Sequence, residues 1–186
     1  GPNGSGKTTI TEQILDHKWV ENSTYINPDN IAKEKFGDWN SEKSVLKAAK
    51  LATKMRYDCL KKHKSLIFET VLSSKEKIDF IKDAKDKVYF VRLFFINTDS
   101  PVINAKRVAQ RVLEGGHDVP IEKIISRYSK SLANSYIAAK MADRAYFYDN
   151  SIDDRFPKLV FRTEEGKIRK EYYKSEGWIK DIQDLF

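Results

Sequence analysis

Gly1-Pro2-Asn3-Gly4-Ser5-Gly6-Lys7-Thr8 opens the chain and fills every fixed position of the pattern GxxxxGK[ST]. Glycines in such a loop let successive backbone N–H groups converge on an anion, because side chains there would block both the curvature and the approach. A run with helical spacing, Lys7 to His17, follows at once, so a helix N-terminus adds its partial positive charge at the same point. These features predict a phosphate-binding loop in which Gly1, Asn3, Gly4, Ser5, Gly6, Lys7, Thr8 and Thr9 contact a nucleotide. Lys7 is expected to reach the β and γ phosphates, the Thr8 hydroxyl to hold Mg2+, and Thr9 to support the helix start.

Outward from the loop, apolar runs that read as strands alternate with helical patterns. The strand runs are Thr24 to Ile26, Leu66 to Phe68, Val88 to Ile96 and Ala145 to Tyr148, then Lys158 to Arg162 and Ile168 to Tyr173. Helical spacing marks Glu42 to His63, Ser74 to Lys85, Pro101 to Leu113 and Pro120 to Met141, with a short closing helix at Gly177 to Phe186. This rhythm predicts an α/β fold, a P-loop NTPase with a parallel sheet and helices on both faces. Glu164-Glu165-Gly166-Lys167 reads as the turn of a C-terminal hairpin. A phosphate loop ordinarily follows a buried strand, yet residue 1 is already its first glycine, so the first strand of the sheet is expected to be missing from this chain.

Composition narrows the class. With 186 residues, 40% hydrophobic and 12% aromatic, the chain can bury a core and fits one domain, residues 1–186. No stretch approaches the roughly 18 consecutive apolar residues of a membrane span, and no signal-peptide layout opens the sequence, so a cytoplasmic, membrane-free protein is expected. The single cysteine, Cys59, excludes an internal disulfide and a cysteine-based metal cluster; within an apolar helix face it reads as a small hydrophobe. Lys and Arg total 34 against 27 Asp and Glu, a net +7, but the lysines are dispersed. Without an arginine-rich run or a basic-aromatic alternation, the charge argues against nucleic acid as the partner. Tyr172, Tyr173, Trp178 and Phe186 read as packing residues.

Neither an Asn-Lys-x-Asp guanine reader nor an LSGGQ-like signature occurs, and Leu66-Ile67-Phe68 ends in Glu69-Thr70 instead of an Asp-Glu pair. Small-molecule kinases remain. Asp29 follows the short strand after the loop helix, so it should project from the carboxyl edge of the sheet and could accept the proton of an attacking hydroxyl. Equally, it could be an Asx turn or cap before Ile31 to Phe36. Glu69 and Thr70, at the end of the next strand, could bind acceptor hydroxyls or order magnesium's waters, or could cap the following helix. Arg107 and Arg111 share a helical face, and Arg127 follows the run Glu114-Gly115-Gly116-His117-Asp118-Val119-Pro120. A helix, glycine turn, helix element at about residues 100–130 reads as a lid whose arginines meet a transferring phosphoryl group; each could also be solvated helix surface. His117 is a candidate ligand contact or a turn residue.

At this point the chain resembles the zeta-toxin group of P-loop kinases. The resemblance is carried by Gly1 to Thr9, Asn27-Pro28-Asp29, Phe68-Glu69-Thr70, the Arg107 to Val112 and Gly115 to Pro120 runs through Arg127-Tyr128, and Ala142-Asp143-Arg144 to Asp149-Asn150-Ser151. It implies an adenylate-kinase-like core, ATP with Mg2+, and transfer of the γ-phosphoryl group to a hydroxyl acceptor, such as UDP-N-acetylglucosamine or another nucleotide sugar. By that similarity Lys7 and Thr8 bind nucleotide and Asp29 is the base; Glu69 and Thr70 lie near the acceptor, and the lid arginines Arg107, Arg111 and Arg127 grip phosphates. An antitoxin protein is implied as a partner. Asn27, where the characterised toxins carry an acidic residue, and the Gly115-Gly116-His117 turn look more like the broader zeta-toxin-like subgroup. A nucleotide-switched ATPase module and a nucleic-acid-associated ATPase are the alternatives.

Overall fold

The computed structural model describes residues 1–37 and 40–186. In chain order its elements are α1 (Lys7–Leu15), a 3-10 turn at Lys18–Val20, β1 (Thr24–Ile26), α2 (Pro28–Phe36), α3 (Glu42–Lys61), β2 (Leu66–Phe68), α4 (Lys75–Asp86), β3 (Arg92–Asn97), α5 (Pro101–Leu113), α6 (Ile121–Met141), β4 (Arg144–Asp149), β5 (Lys158–Glu164), β6 (Lys167–Glu171) and α7 (Gly177–Gln183). They gather into two compact units. The first comprises Gly1–Lys7, Val71–Ala109 and Val119–Phe186; the second comprises Thr8–Thr70 and Gln110–Asp118.

The first unit is built on a sheet of order β3-β4-β5-β6. Only β3 and β4 run parallel; β5 and β6 are antiparallel to their neighbours, so the sheet is mixed and not parallel throughout. Between β5 and β6 the cause is local: Glu165 and Gly166 have φ of 49° and 68°, the two-residue turn of the expected C-terminal hairpin, with both central residues left-handed. Register places Phe95 opposite Phe147 and Phe147 opposite Phe161, so three buried rings line one face of the sheet. The Phe147 and Phe161 rings stack at 4.5 Å, and Trp178 of α7 meets Phe95 edge-on at 5.8 Å. Its indole N–H donates to Asp149 Oδ1 at 3.0 Å, which satisfies the polar end of an otherwise apolar side chain. Ala138 and Ala139 of α6 join this core, their small side chains leaving room for the rings.

The second unit pairs β1 with β2 in parallel, Thr24 to Ile26 against Leu66 to Phe68. Ile26 packs with Ile31 and Ala32 of α2 and with Ala48, Ala52 and Cys59 of α3. Cys59 is therefore the small hydrophobe that its position suggested. Arg56 is buried on the same helix, its Nη2 donating to Thr53 Oγ1 at 3.0 Å and its guanidinium lying over the Phe68 ring. Among the described residues no helix is long and apolar enough to cross a membrane.

One boundary departs from the sequence reading. The strand expected from Val88 begins at Arg92, because α4 ends in a closed C-terminal turn. Val88 N–H donates to Lys85 O at 2.8 Å and Tyr89 N–H to Ala84 O at 3.0 Å, the paired bonds of a Schellman motif. Val88 occupies the left-handed position of that motif with φ 61°, a conformation in which a β-branched side chain is strained. Since Val88 is 91% exposed, nothing in the core depends on its side chain. Val88→Gly is therefore expected to raise stability by about 0.5–1 kcal/mol, read as a higher urea midpoint at unchanged slope.

Candidate active site

Within the first unit the phosphate loop is shaped by what lies behind it. Gly4 has φ 75°, and a Cβ there would run into the backbone of Asn104 on α5. Gly6 has φ 91°, and a Cβ would strike the side-chain amide of Asn150. That amide is a clamp, since Asn150 Nδ2 donates to Ser5 O at 2.9 Å while Asn150 N–H donates to Asn97 O at 2.9 Å. Asn104 is fully buried and joined to Thr98 by the Thr98 hydroxyl, and Tyr128 OH donates to Thr98 O at 2.6 Å. Burial pushes the Tyr128 phenol above its ordinary pKa, so it stays protonated as a donor. Lys7 Nζ donates to Pro2 O at 2.9 Å, folded over the loop it follows.

Two of the expected arginines belong to this unit, and they reach the loop differently. Arg127 Nη1 donates to Asn3 Oδ1 at 3.2 Å, so α6 delivers a guanidinium directly to the loop. Arg107 is engaged elsewhere: its Nε and Nη2 donate to Asp153 Oδ1 at 2.9 and 2.8 Å and its Nη1 to Asn150 O at 2.8 Å. Hydrogen bonds from Arg107 and then from Lys106 hold the Asp153 carboxyl below the usual carboxylate range. Arg107 therefore supports the loop through Asn150.

In the second unit a chain of hydrogen bonds links the residues that follow β1 and β2. Asn27 is the N-cap of α2, its Oδ1 accepting from Asp29 N–H at 2.9 Å. Its Nδ2 donates to Tyr25 OH at 3.1 Å, and Tyr25 OH donates to Glu69 Oε1 at 2.6 Å. Thr8 Oγ1 donates to the other carboxylate oxygen, Glu69 Oε2, at 3.4 Å. Desolvation and the adjacent Glu69 push the Tyr25 phenol well above its ordinary range, so it too remains a donor. Because Asn27 does the capping, the exposed Asp29 carboxylate in the first turn of α2 is not used as a cap. Thr70 follows Glu69 half-buried, and Thr9 is exposed in the first turn of α1.

Arg111 and the turn at Gly115 to Asp118 in this unit hold one another. Arg111 Nη2 donates to His117 O at 2.9 Å, and a Cβ on Gly116 would press against the Arg111 side chain. His117 Nδ1 lies 3.2 Å from Asn40 Oδ1, which also accepts from Asp118 N–H at 3.1 Å. Sequence reasoning gave no role to Tyr25, Asn40 or Asn150. Asn150 stood inside a recognised run, whereas the contacts of Tyr25 and Asn40 join residues distant in sequence and leave no local pattern.

In the first unit the loop fits the phosphates of a nucleotide. The backbone at Gly4 and Gly6 forms a cradle that a Cβ would fill, and within it the buried Ser5 hydroxyl has no partner among the described residues. The described residues contain no group of three or more His, Cys, Asp or Glu able to hold a metal. Mg2+ bound through phosphates ordinarily takes only one or two protein ligands and completes its shell with water, a demand that the exposed Thr8 hydroxyl and Glu69 meet.

Comparison with known proteins agrees with this geometry. An uncharacterized protein of Haemophilus influenzae is 29% identical over 128 residues, 69% of this chain and 88% of its own length. The crystal structure of AvrRxo1-ORF1:-ORF2 with ATP superposes with a TM-score of 0.67 at 20% identity, covering 91% of this chain. This chain spans 58% of the length of that one. The PezAT chromosomal toxin-antitoxin system of Streptococcus pneumoniae gives a TM-score of 0.59 at 17% identity, covering 100% of this chain and 81% of its own. These likenesses establish an α/β P-loop-kinase-like fold with a mixed sheet and flanking helices. The zeta toxin family model matches residues 1–155, and the chain belongs to the zeta toxin family.

Proposed function

We propose that this protein is an ATP-dependent phosphotransferase that moves the γ-phosphoryl group to a hydroxyl of a small acceptor, a nucleotide sugar such as UDP-N-acetylglucosamine. The observation that carries this reading is the phosphate loop, with Lys7 poised over it and the Thr8 hydroxyl directed at Glu69. A related fold has been solved with ATP, and another belongs to a toxin-antitoxin system; both support a nucleotide donor and, for this chain, an antitoxin partner. The Gly115-Gly116-His117 turn supports placement in the broader zeta-toxin-like subgroup. We take residues 1–186 as one kinase domain with a lid at about residues 100–130.

Phosphoryl transfer asks little covalent chemistry of a protein and much positioning. In this proposal loop N–H groups and Lys7 bind the β and γ phosphates, and Thr8 with Glu69 would hold Mg2+, which would supply positive charge to offset that of the phosphates. Arg127, already at the loop through Asn3, meets the charge that spreads over the transferring group. Arg111 holds the lid turn through His117 O, and Arg107 holds the loop through Asn150. The Asp29 carboxylate accepts the acceptor's hydroxyl proton as the acceptor oxygen bonds to the γ phosphorus, the bond from that phosphorus to the β–γ bridging oxygen breaks and ADP leaves. Thr70 and His117 contribute to acceptor binding.

Incubation with labelled ATP and a pool of nucleotide sugars tests the reading directly: a phosphorylated sugar is expected, and ATP binding without any acceptor-dependent product would favour a nucleotide switch instead. Lys7→Ala should abolish turnover and weaken ATP binding at an unchanged melting temperature, because Lys7 serves phosphate charge and not the core. Arg127→Ala should lower kcat by about 10³ with little change in ATP affinity, as expected of an arginine acting on the transferring group. Asp29→Asn should keep ATP affinity and melting temperature while kcat falls about 10²–10⁴-fold. Near-normal kcat in Asp29→Asn with a verified acceptor would remove Asp29 from the role of base.

A further inference from the structure

Two distances at Glu69 differ in a telling way. Tyr25 OH approaches Oε1 to 2.6 Å, a short charge-assisted bond, whereas Thr8 Oγ1 stands 3.4 Å from Oε2, at the outer limit for a hydroxyl and a carboxylate. The strong contact is thus the one that orients the carboxylate, and the weak one leaves the Thr8 hydroxyl available to a cation. Tyr25 is itself oriented. Its oxygen accepts from Asn27 Nδ2 at 3.1 Å, so its own proton is directed at Glu69. Asn27 has no freedom to turn its amide, because Oδ1 is committed to Asp29 N–H at 2.9 Å at the start of α2. The helix start therefore fixes the amide, the amide fixes the phenol, and the phenol fixes the carboxylate.

We propose that Tyr25 is a positioning residue for magnesium, holding Glu69 so that its second oxygen faces the Thr8 hydroxyl and the water shell of an Mg2+ ion bound there. This rests on the nucleotide reading above and adds to it a residue that touches neither nucleotide nor metal. Outer-shell groups of this kind set the orientation of the ligands they touch, and losing one typically weakens metal binding about 10–100-fold. The role belongs to the Tyr25 hydroxyl alone, since Tyr25→Phe keeps the ring that packs in the strand.

The test is ATP binding by calorimetry, first in EDTA and then across a MgCl2 series, for the wild type, Tyr25→Phe, Glu69→Gln and the double variant. In Tyr25→Phe, ATP affinity in EDTA and melting temperature are expected to match the wild type, while the Mg2+ concentration giving half of the metal effect rises about tenfold. The double variant is expected to be no worse than Glu69→Gln, because Tyr25 acts through that carboxylate. A Mg2+ midpoint in Tyr25→Phe within about twofold of the wild type, full additivity in the double variant, a parallel loss of ATP affinity in EDTA, or a collapsed melting temperature would each overturn the proposal. If the wild type binds no ATP, or Mg2+ leaves its binding unchanged, the nucleotide reading falls and takes this role with it. A wild type that responds to Mg2+ beside an identical Tyr25→Phe removes Tyr25 alone.

Discussion

The left-handed backbone at Gly4 and Gly6, pressed against Asn104 and the Asn150 amide, is the constraint around which the first unit is arranged. A loop bent this tightly exposes its N–H groups to an anion only if something behind it prevents relaxation. Asn104 serves that purpose from a buried network with Thr98 and Tyr128, and Asn150 from the end of β4, one residue beyond the strand. Arg107 extends the arrangement outward by tying Asn150 O to Asp153. An arginine that the sequence offers to a phosphate is thus found holding the backbone that holds the phosphate loop.

The second unit uses its polar groups in a comparable way, with a different end. Its two short parallel strands, of three residues each, could not hold a site rigidly by themselves. Rigidity at their carboxyl ends comes instead from the line of hydrogen bonds from Asp29 N–H through Asn27 and Tyr25 to Glu69. One residue, Asn27, begins α2 and orders the line. Asp29 is thereby released from capping, and its exposed carboxylate stands in the first turn of the helix.

The turn at Gly115-Gly116-His117 illustrates how a turn of small residues is stiffened. Gly116 lets the Arg111 side chain lie against the turn, and Arg111 then donates to His117 O. Asn40 accepts from both His117 and Asp118 N–H. Each of these bonds is local to the second unit, and each is weak enough singly, about 1 kcal/mol net, for the turn to rearrange when a ligand competes for them.

Sequence by itself determined the phosphate loop, because its chemistry is carried by the backbone and by residues at fixed short spacing, and it determined most elements, because burial on one face imposes a period. Pro101–Leu113, Thr24–Ile26 and Leu66–Phe68 stand where the pattern put them. The sequence also supplied Asn3, Lys7, Thr8, Asp29, Glu69 and Arg127 as candidates, from the loop, from the starts of α1 and α2, from the end of β2 and from α6. Tertiary structure decided what those candidates touch. That Arg107 faces Asp153 and that Tyr25 reaches Glu69 depend on pairings between residues more than forty positions apart, which no local period encodes. The start of β3 was settled by backbone geometry at Val88. A left-handed turn there costs only about 1–2 kcal/mol, an amount that the packing of the surrounding core readily offsets and that composition alone does not reveal.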